Sequence, residues 1–227
     1  MALLELQDLK KSYRTPEGTS HEVIRISRFE LGERTQMALS GPSGTGKTTF
    51  LHLIAGILTP DSGQIRFNGA EFSALGESAR DRIRARSIGY IFQTFNLLQG
   101  FSVLENVLLG MTFGAGADRP RAIELLQRVG LGDRLHHRPR QLSTGQQQRV
   151  AVARALASRP RLVLADEPTG NLDAAHGREA LRLIREACEE VGAALLLVSH
   201  DPVVLGQFSE RRSLAEINQA ARTEVSS

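Results

Sequence analysis

Ten consecutive residues, Ser40-Gly41-Pro42-Ser43-Gly44-Thr45-Gly46-Lys47-Thr48-Thr49, hold the densest chemistry in the chain. Glycines at 41, 44 and 46 let the backbone curl until successive N–H groups point at one anion, and a helix start adds partial positive charge. Lys47 can then reach the β- and γ-phosphates of a nucleotide, and the Thr48 hydroxyl can ligate Mg²⁺. The run follows apolar Met37-Ala38-Leu39 and precedes Phe50–Ala55, which has helical periodicity. That predicts strand, loop and helix, the context Gly-x-x-x-x-Gly-Lys-Thr requires. The plainer alternative is a glycine-rich turn such as any α/β protein contains.

Further candidates lie at strand ends. Arg161–Pro168 is a continuous apolar strand that closes on Asp166 and Glu167. A buried parallel strand is apolar throughout, and two acids at its carboxyl end sit where open α/β sheets bind ligands. Gln93 ends the apolar run Ile88–Phe92, and His200 ends Ala194–Ser199. Leu142-Ser143-Thr144-Gly145-Gln146 precedes an alanine-rich helix, and Ser143 with Gln146 also reads as a simple capping box. Tyr13 ends the first strand; taken alone it is better read as an edge-strand tyrosine than as a plate for a base.

The elements that must carry these residues follow from periodicity. Residues 3–13 and 21–31 alternate as strands around a turn at Thr15–Thr19. A helix is expected from Lys47 to Leu58, stopped by Thr59-Pro60-Asp61-Ser62-Gly63. Gln64–Phe67 is a strand closed by the hairpin dipeptide Asn68-Gly69. Glu77–Arg86 is a polar helix whose four arginines spread over a solvated face. Helices are expected at 102–110, 119–130, 151–158 and 173–191, the last with Leu181 and Ile184 at core spacing. His136 and His137 are adjacent, diverge, and read as surface residues, not metal ligands. The tail 203–227 reads as mostly helical or frayed, with an edge strand near 211–214 and then a brief helix.

Composition excludes several classes. With 227 residues, 41% hydrophobic and 23% charged, the chain is long enough to bury a core and has ordinary globular balance. A net charge of +3 is too mild to argue for nucleic acid, and none is expected as a partner. Cys188 is the only cysteine, which leaves no disulfide and no cysteine-based zinc site and fits a reducing cytoplasm. No apolar run nears the roughly 20 residues of a membrane span, so any membrane crossing belongs to another chain.

Taken in order, the phosphate loop, Gln93, Leu-Ser-x-Gly-Gln, Asp166-Glu167, Asn171-Leu172-Asp173 and His200 resemble the nucleotide-binding domain of ATP-binding-cassette proteins, from Tyr13 to His200. The resemblance implies an α/β P-loop fold: a mixed, mainly parallel core sheet with helices, an antiparallel β portion over about 1–35, and a helical subdomain inserted over about 94–158. It implies one such domain over 1–227, ATP and Mg²⁺ as cofactors, and ATP hydrolysis. Gly41, Pro42, Ser43, Gly44, Thr45, Gly46, Lys47, Thr48 and Thr49 would bind the phosphates, and Tyr13 becomes the expected adenine stack. Asp166 would hold Mg²⁺ with Thr48 and Gln93. Glu167 would act as general base, and His200 would contact the γ-phosphate. Ser143, Thr144, Gly145 and Gln146 resemble the signature that meets ATP on a second subunit, with Asp173 at the same interface, so an ATP-bound homodimer is implied. Thr144 departs from the usual glycine and is tolerable where φ stays negative.

Phe92–Leu98, Glu105-Asn106-Val107 and Gln141–Val150 resemble a narrower bacterial group serving lipoprotein release, macrolide efflux and cell division. Such a chain would sit on the cytoplasmic face of the inner membrane, against a separate membrane subunit. The apolar density at Phe95, Leu97, Leu98 and Phe101 would form part of the cleft receiving that subunit. The C-terminus departs from the group, lacking its Asp-Gly turn. Soluble DNA-repair and translation ATPases of the same superfamily are the alternative; they need a coiled-coil or zinc insertion, or a second cassette, and Gly-Lys-Thr occurs once here.

Overall fold

The computed structural model describes residues 2–16, 18–114 and 116–220. In chain order its elements are β1 (Ala2–Arg14), β2 (Ser20–Gly32), β3 (Gln36–Ser40), α1 (Lys47–Ile54), β4 (Ser62–Phe67), β5 (Ala70–Glu71), α2 (Glu77–Ser87) and β6 (Ile88–Ile91). They continue with α3 (Val103–Thr112), α4 (Arg119–Arg128), α5 (Thr144–Leu156), β7 (Leu162–Asp166) and α6 (Ala174–Val191). The chain closes with β8 (Ala194–Ser199), α7 (Pro202–Leu205), β9 (Glu210–Ser213) and α8 (Leu214–Ile217). It divides into two compact units, Met1–Asp81 with Val198–Ser227, and Arg82–Leu197.

The first unit holds an antiparallel sheet ordered β2-β1-β4-β5. Leu4 and Leu6 of β1 point inward, and so does Leu9, out of phase by one residue. The phase changes at Asp8, whose φ of 47° marks a bulge where the β1–β4 register shifts. Ile24, Ile26, Phe29 and Leu31 of β2 are buried. Phe29 meets Phe50 of α1 edge-to-face with centroids 5.3 Å apart, worth about 0.5–1.5 kcal/mol beyond area burial. Asn68 and Gly69, at φ 52° and 76°, form the expected hairpin turn between β4 and β5. In the same unit β3 pairs in parallel with β9, from Met37 opposite Glu210 to Ser40 opposite Ser213.

A helix boundary in this unit differs from the sequence expectation. The helix after the phosphate loop ends at Ile54, not Leu58. Gly56 takes φ 67°, and the backbone N–H groups of Ile57 and Leu58 turn back to the His52 carbonyl. A left-handed glycine that lets later N–H groups satisfy terminal carbonyls is a helix stop. The edge strand and short helix expected near the C-terminus are β9 and α8; residues 221–227 of the expected tail, and Glu17 of the first turn, lie outside the described residues.

In the second unit β6 and β7 pair in parallel, Ile88 opposite Leu162 and Ile91 opposite Ala165, with β8 next to β7. Every residue of β7 is buried, which is why the run reads as apolar throughout. Gly177, Ala180, Leu181, Ile184 and Cys188 form one buried stripe along α6. Each fully buried Leu or Ile there is worth about 1.5–3 kcal/mol of transfer free energy. α5 begins at Thr144, seven residues before the expected Ala151, because Ser143 caps it and the Thr144–Arg149 stretch is its first turns. The α2 helix carries no buried residue, as its arginine spread predicts.

Candidate nucleotide site

Tyr13, the loop 41–49 and His200 belong to the first unit; Gln93, Ser143–Gln146, Asp166, Glu167 and Asp173 belong to the second. In the phosphate loop Gly44 and Gly46 take φ of 85° and 88°. A Cβ on Gly46 would lie 3.1 Å from the Val23 carbonyl oxygen and 3.0 Å from the Val23 and Ile24 side chains. Conformation and space both demand glycine there. Gly46 is also the N-cap of α1, and no side chain caps that end. A helix start without a side-chain cap is a place where an anion is favoured.

Lys47 folds back over its own loop, its Nζ donating to the carbonyls of Gly41 at 2.7 Å and Pro42 at 3.0 Å. The Thr45 hydroxyl donates to the same Pro42 carbonyl at 2.8 Å. These bonds hold a buried cation across the loop's curl, where phosphate oxygens would compete for it. Ser43 and Thr48 are exposed. Tyr13, 41% exposed, leaves its ring accessible at the end of β1. Asn218, fully buried after α8, accepts from the Arg25 N–H at 2.8 Å and donates to the carbonyls of Val23 at 2.8 Å and Thr45 at 3.4 Å. The C-terminal segment thus closes on the strand and loop that hold Gly46. His200 is exposed just past β8.

In the second unit Asp166 ends β7 and Glu167 follows it, both only 7% exposed. Glu167 has φ 43°, a left-handed conformation that costs a non-glycine residue about 1–3 kcal/mol and persists where the surroundings over-determine it. The Gly170 N–H closes the turn onto the Glu167 carbonyl at 3.0 Å. Beside them Tyr90 is held as a neutral phenol, its pKa raised first by burial and then by the charge of Asp166. Gln93 is exposed, and its carbonyl accepts from Asn171 Nδ2 at 2.7 Å. The apolar residues of the following loop separate: Phe95 and Leu97 are buried, whereas Leu98 and Phe101 are 47% and 42% exposed.

The signature stretch is a helix start. Ser143 accepts from the Gln146 N–H at 3.3 Å, and Gln146 Oε1 accepts from the Ser143 N–H at 3.0 Å. The capping box expected from the sequence is present and starts α5. Thr144 is helical and outside the positive-φ residues, so its departure from glycine is accommodated. Asp173 caps α6 through the N–H groups of Ala175 and His176, and His176 Nδ1 lies 2.6 Å from Asp173 Oδ2. The backbone bond from His176, followed by its ring, holds the Asp173 carboxyl below the usual range. A Cβ at Gly145 would be 3.5 Å from His176 Cδ2, so the signature and Asp173 lie side by side through this ring. His136 is exposed and His137 half-buried, and no metal-holding cluster of His, Cys, Asp and Glu occurs among the described residues.

Three residues gained importance that their local sequence does not signal. Asn171 sits in the Asn171-Leu172-Asp173 motif, Arg154 in an alanine-rich helix, and Asn218 in a tail read as an edge strand and a brief helix. Their partners lie 78, 58 and 195 residues away, as in Asn171–Gln93, Arg154–Asn96 and Asn218–Val23.

A strand, a left-handed glycine loop with an uncapped helix start, and a buried acid pair after a parallel strand define a P-loop ATPase. Residues 24–170 match the ABC transporter family, and the chain belongs to it, as an ATP-binding and ATP-hydrolysing subunit. The lipoprotein-releasing system ATP-binding protein LolD of Pseudomonas fluorescens is 44% identical over 219 residues, 95% of this chain and 96% of its own length. The macrolide export ATP-binding/permease protein MacB of Syntrophobacter fumaroxidans is 44% identical over 209 residues, 90% of this chain; the chain spans 29% of that relative's length. Among solved structures, the dimeric post-hydrolysis state of the ATP-binding cassette MJ0796 bound to ADP and Pi superposes with a TM-score of 0.85 at 32% identity, covering 96% of this chain and 95% of that one. The fold is therefore the ABC ATPase fold, with its antiparallel and parallel sheets.

Proposed function

We propose that two copies of this chain sandwich ATP and that its hydrolysis drives a separate membrane-spanning subunit of the lipoprotein-release, macrolide-efflux or cell-division type, on the cytoplasmic face of the inner membrane. No helix among the described residues is long and apolar enough to cross a membrane. The observation that carries the catalytic reading is the buried Asp166–Glu167 pair, with Glu167 in a costly left-handed bend at a strand's carboxyl end. Backbone strain of this kind clusters at active sites, which supports a catalytic role for Glu167.

The oxygen donors fit Mg²⁺ better than a softer ion. Asp166 and Gln93 would offer a carboxylate and an amide oxygen and Thr48 a hydroxyl, and Mg²⁺ prefers few protein ligands together with phosphates and water. When bound, the ion neutralises charge on the β- and γ-phosphate oxygens. The chain's own residues do the rest. Lys47 exchanges its carbonyl bonds for phosphate oxygens, Gly44 to Thr49 donate backbone and hydroxyl bonds, and Tyr13 stacks on adenine. Glu167 accepts the proton of the attacking water, Gln93 orients that water, and His200 steadies the γ-phosphate. Ser143 and Gly145 face the γ-phosphate of the second copy, with Asp173 at the same contact. One single-domain unit over 1–227, with the helices near 94–158 as an inserted subdomain, is the organisation this reading assumes.

Leu98 and Phe101 are the docking edge for the membrane subunit. Leu98→Glu or Phe101→Glu places a carboxylate in an apolar contact, a loss of roughly 2 kcal/mol or more. Partner-stimulated ATP turnover in vesicles carrying the membrane subunit should fall at least tenfold, with basal hydrolysis and melting temperature unchanged. Full stimulation in both variants would move the dock elsewhere.

A further inference from the structure

The loop from Gln93 to Ser102 is held by side chains from three different elements, not by a backbone ladder. From α5, the Arg154 guanidinium donates through Nη2 to the Phe95 carbonyl and through Nη1 to the Asn96 carbonyl, each at 2.6 Å. Those two residues are consecutive non-glycines in the left-handed region, at φ 60° and 47°. That conformation is costly for Phe95, and although asparagine tolerates it, two such residues in succession are unusual and need an external hold. From the turn after Glu167, Asn171 Nδ2 donates to the Gln93 carbonyl at 2.7 Å, and a Cβ on neighbouring Gly170 would sit 3.5 Å from Gln93 Nε2. From α3, the fully buried Asn106 accepts from the Leu98 N–H at 2.8 Å and donates to the Ser102 carbonyl at 2.9 Å.

We infer that Arg154 and Asn171 are positioning residues, a two-point clamp that holds the Phe95–Asn96 bend and so fixes Gln93 against the Glu167–Asn171 turn; this rests on the reading of Gln93 as a catalytic contact. The two grips act two to three residues apart on the first half of one loop, whose far end Asn106 holds. Asn171 ties the root to the segment that carries Glu167, and Arg154 ties the bend to the helix that opens with the signature at Ser143. Each grip is one planar group spending its donors on carbonyls, so it can be released without breaking a strand or a helix. Leu98 and Phe101 lie past the bend on the same loop, so the clamp also sets where the exposed apolar edge stands.

Asn171 is exposed, so its replacement tests the clamp without threatening the fold. Asn171→Ala and Asn171→Asp both lose the N–H donor, and the second keeps the shape. Arg154→Lys keeps a cation but can grip only one of two carbonyls well. Amide hydrogen exchange over 93–102 in the nucleotide-free chain, kcat, the KM for ATP and the melting temperature are compared with those of Gln93→Ala. Both Asn171 variants should exchange faster over 93–102 by about tenfold, and kcat should fall about tenfold with KM within twofold, since a displaced catalytic contact costs turnover more than binding. Arg154→Lys should show the same pattern more weakly, and the melting temperatures of the Asn171 variants should match the parent. Parental exchange over 93–102 in both Asn171 variants overturns the clamp whatever the turnover. Faster exchange with parental kcat, in a chain that Gln93→Ala inactivates, overturns the positioning role. Full turnover in Gln93→Ala overturns the catalytic reading of Gln93 instead, and leaves the exchange data to decide the clamp alone.

Discussion

Glu167→Gln should bind ATP as tightly as the parent chain and hydrolyse it at least a hundredfold more slowly. The amide is isosteric, so the left-handed bend at φ 43° and the turn closed by Gly170 have no reason to change. What it loses is the ability to accept a proton from the attacking water, and general-base groups contribute about 10²–10⁴-fold. Binding depends on the phosphate loop, which lies elsewhere in the sequence and keeps its bonds. Nucleotide affinity by fluorescence titration and phosphate release by a coupled assay separate the two effects. Turnover within tenfold of the parent would take Glu167 out of the catalytic role.

The opposite signature is expected at Lys47. Lys47→Ala should weaken ATP binding about 10- to 100-fold, corresponding to roughly 1.5–3 kcal/mol for a bond between charged groups. Two losses combine there. The phosphates lose a cation, and the carbonyls of Gly41 and Pro42 lose the donor that spans them at 2.7 and 3.0 Å. Lys47→Arg keeps the charge but not the compact ammonium, and the tight curl of the loop should not accept the wider guanidinium, so it should rescue binding poorly. An unchanged affinity in Lys47→Ala would place the phosphates elsewhere.

Local pattern and chemistry reach far into this chain, and where they stop is instructive. The phosphate loop, the acid-terminated strand and the Asn68-Gly69 hairpin were legible because each is a contiguous run whose residue types dictate the backbone. Even the short edge strand and helix near the C-terminus were legible, although the family pattern fails there. Helix limits were less so. Gly56 stops α1 early, and Ser143 starts α5 early, because one glycine or one cap outweighs the apolar periodicity on either side. The division of Phe95 and Leu97 from Leu98 and Phe101 could not be read, since it depends on a left-handed bend at Phe95–Asn96 and on the Asn106 side chain that holds the Leu98 backbone from α3. Least legible were the polar braces. Nothing near Asn171 or Asn218 announces a carbonyl 78 or 195 residues away, because a hydrogen bond across the fold leaves no periodic trace in either segment.

Whether a complete ATP site needs two copies of this chain is tested by sedimentation of the slow Glu167→Gln protein with and without ATP. The protein should run as a monomer without nucleotide and as a dimer with ATP. Adding Ser143→Arg should return the ATP-bound protein to monomer while single-site nucleotide affinity stays within about threefold, the lost N-cap costing roughly 1 kcal/mol of helix stability. An oligomeric state that ignores ATP in every variant, or a dimer that persists with Ser143→Arg, would contradict a two-copy site.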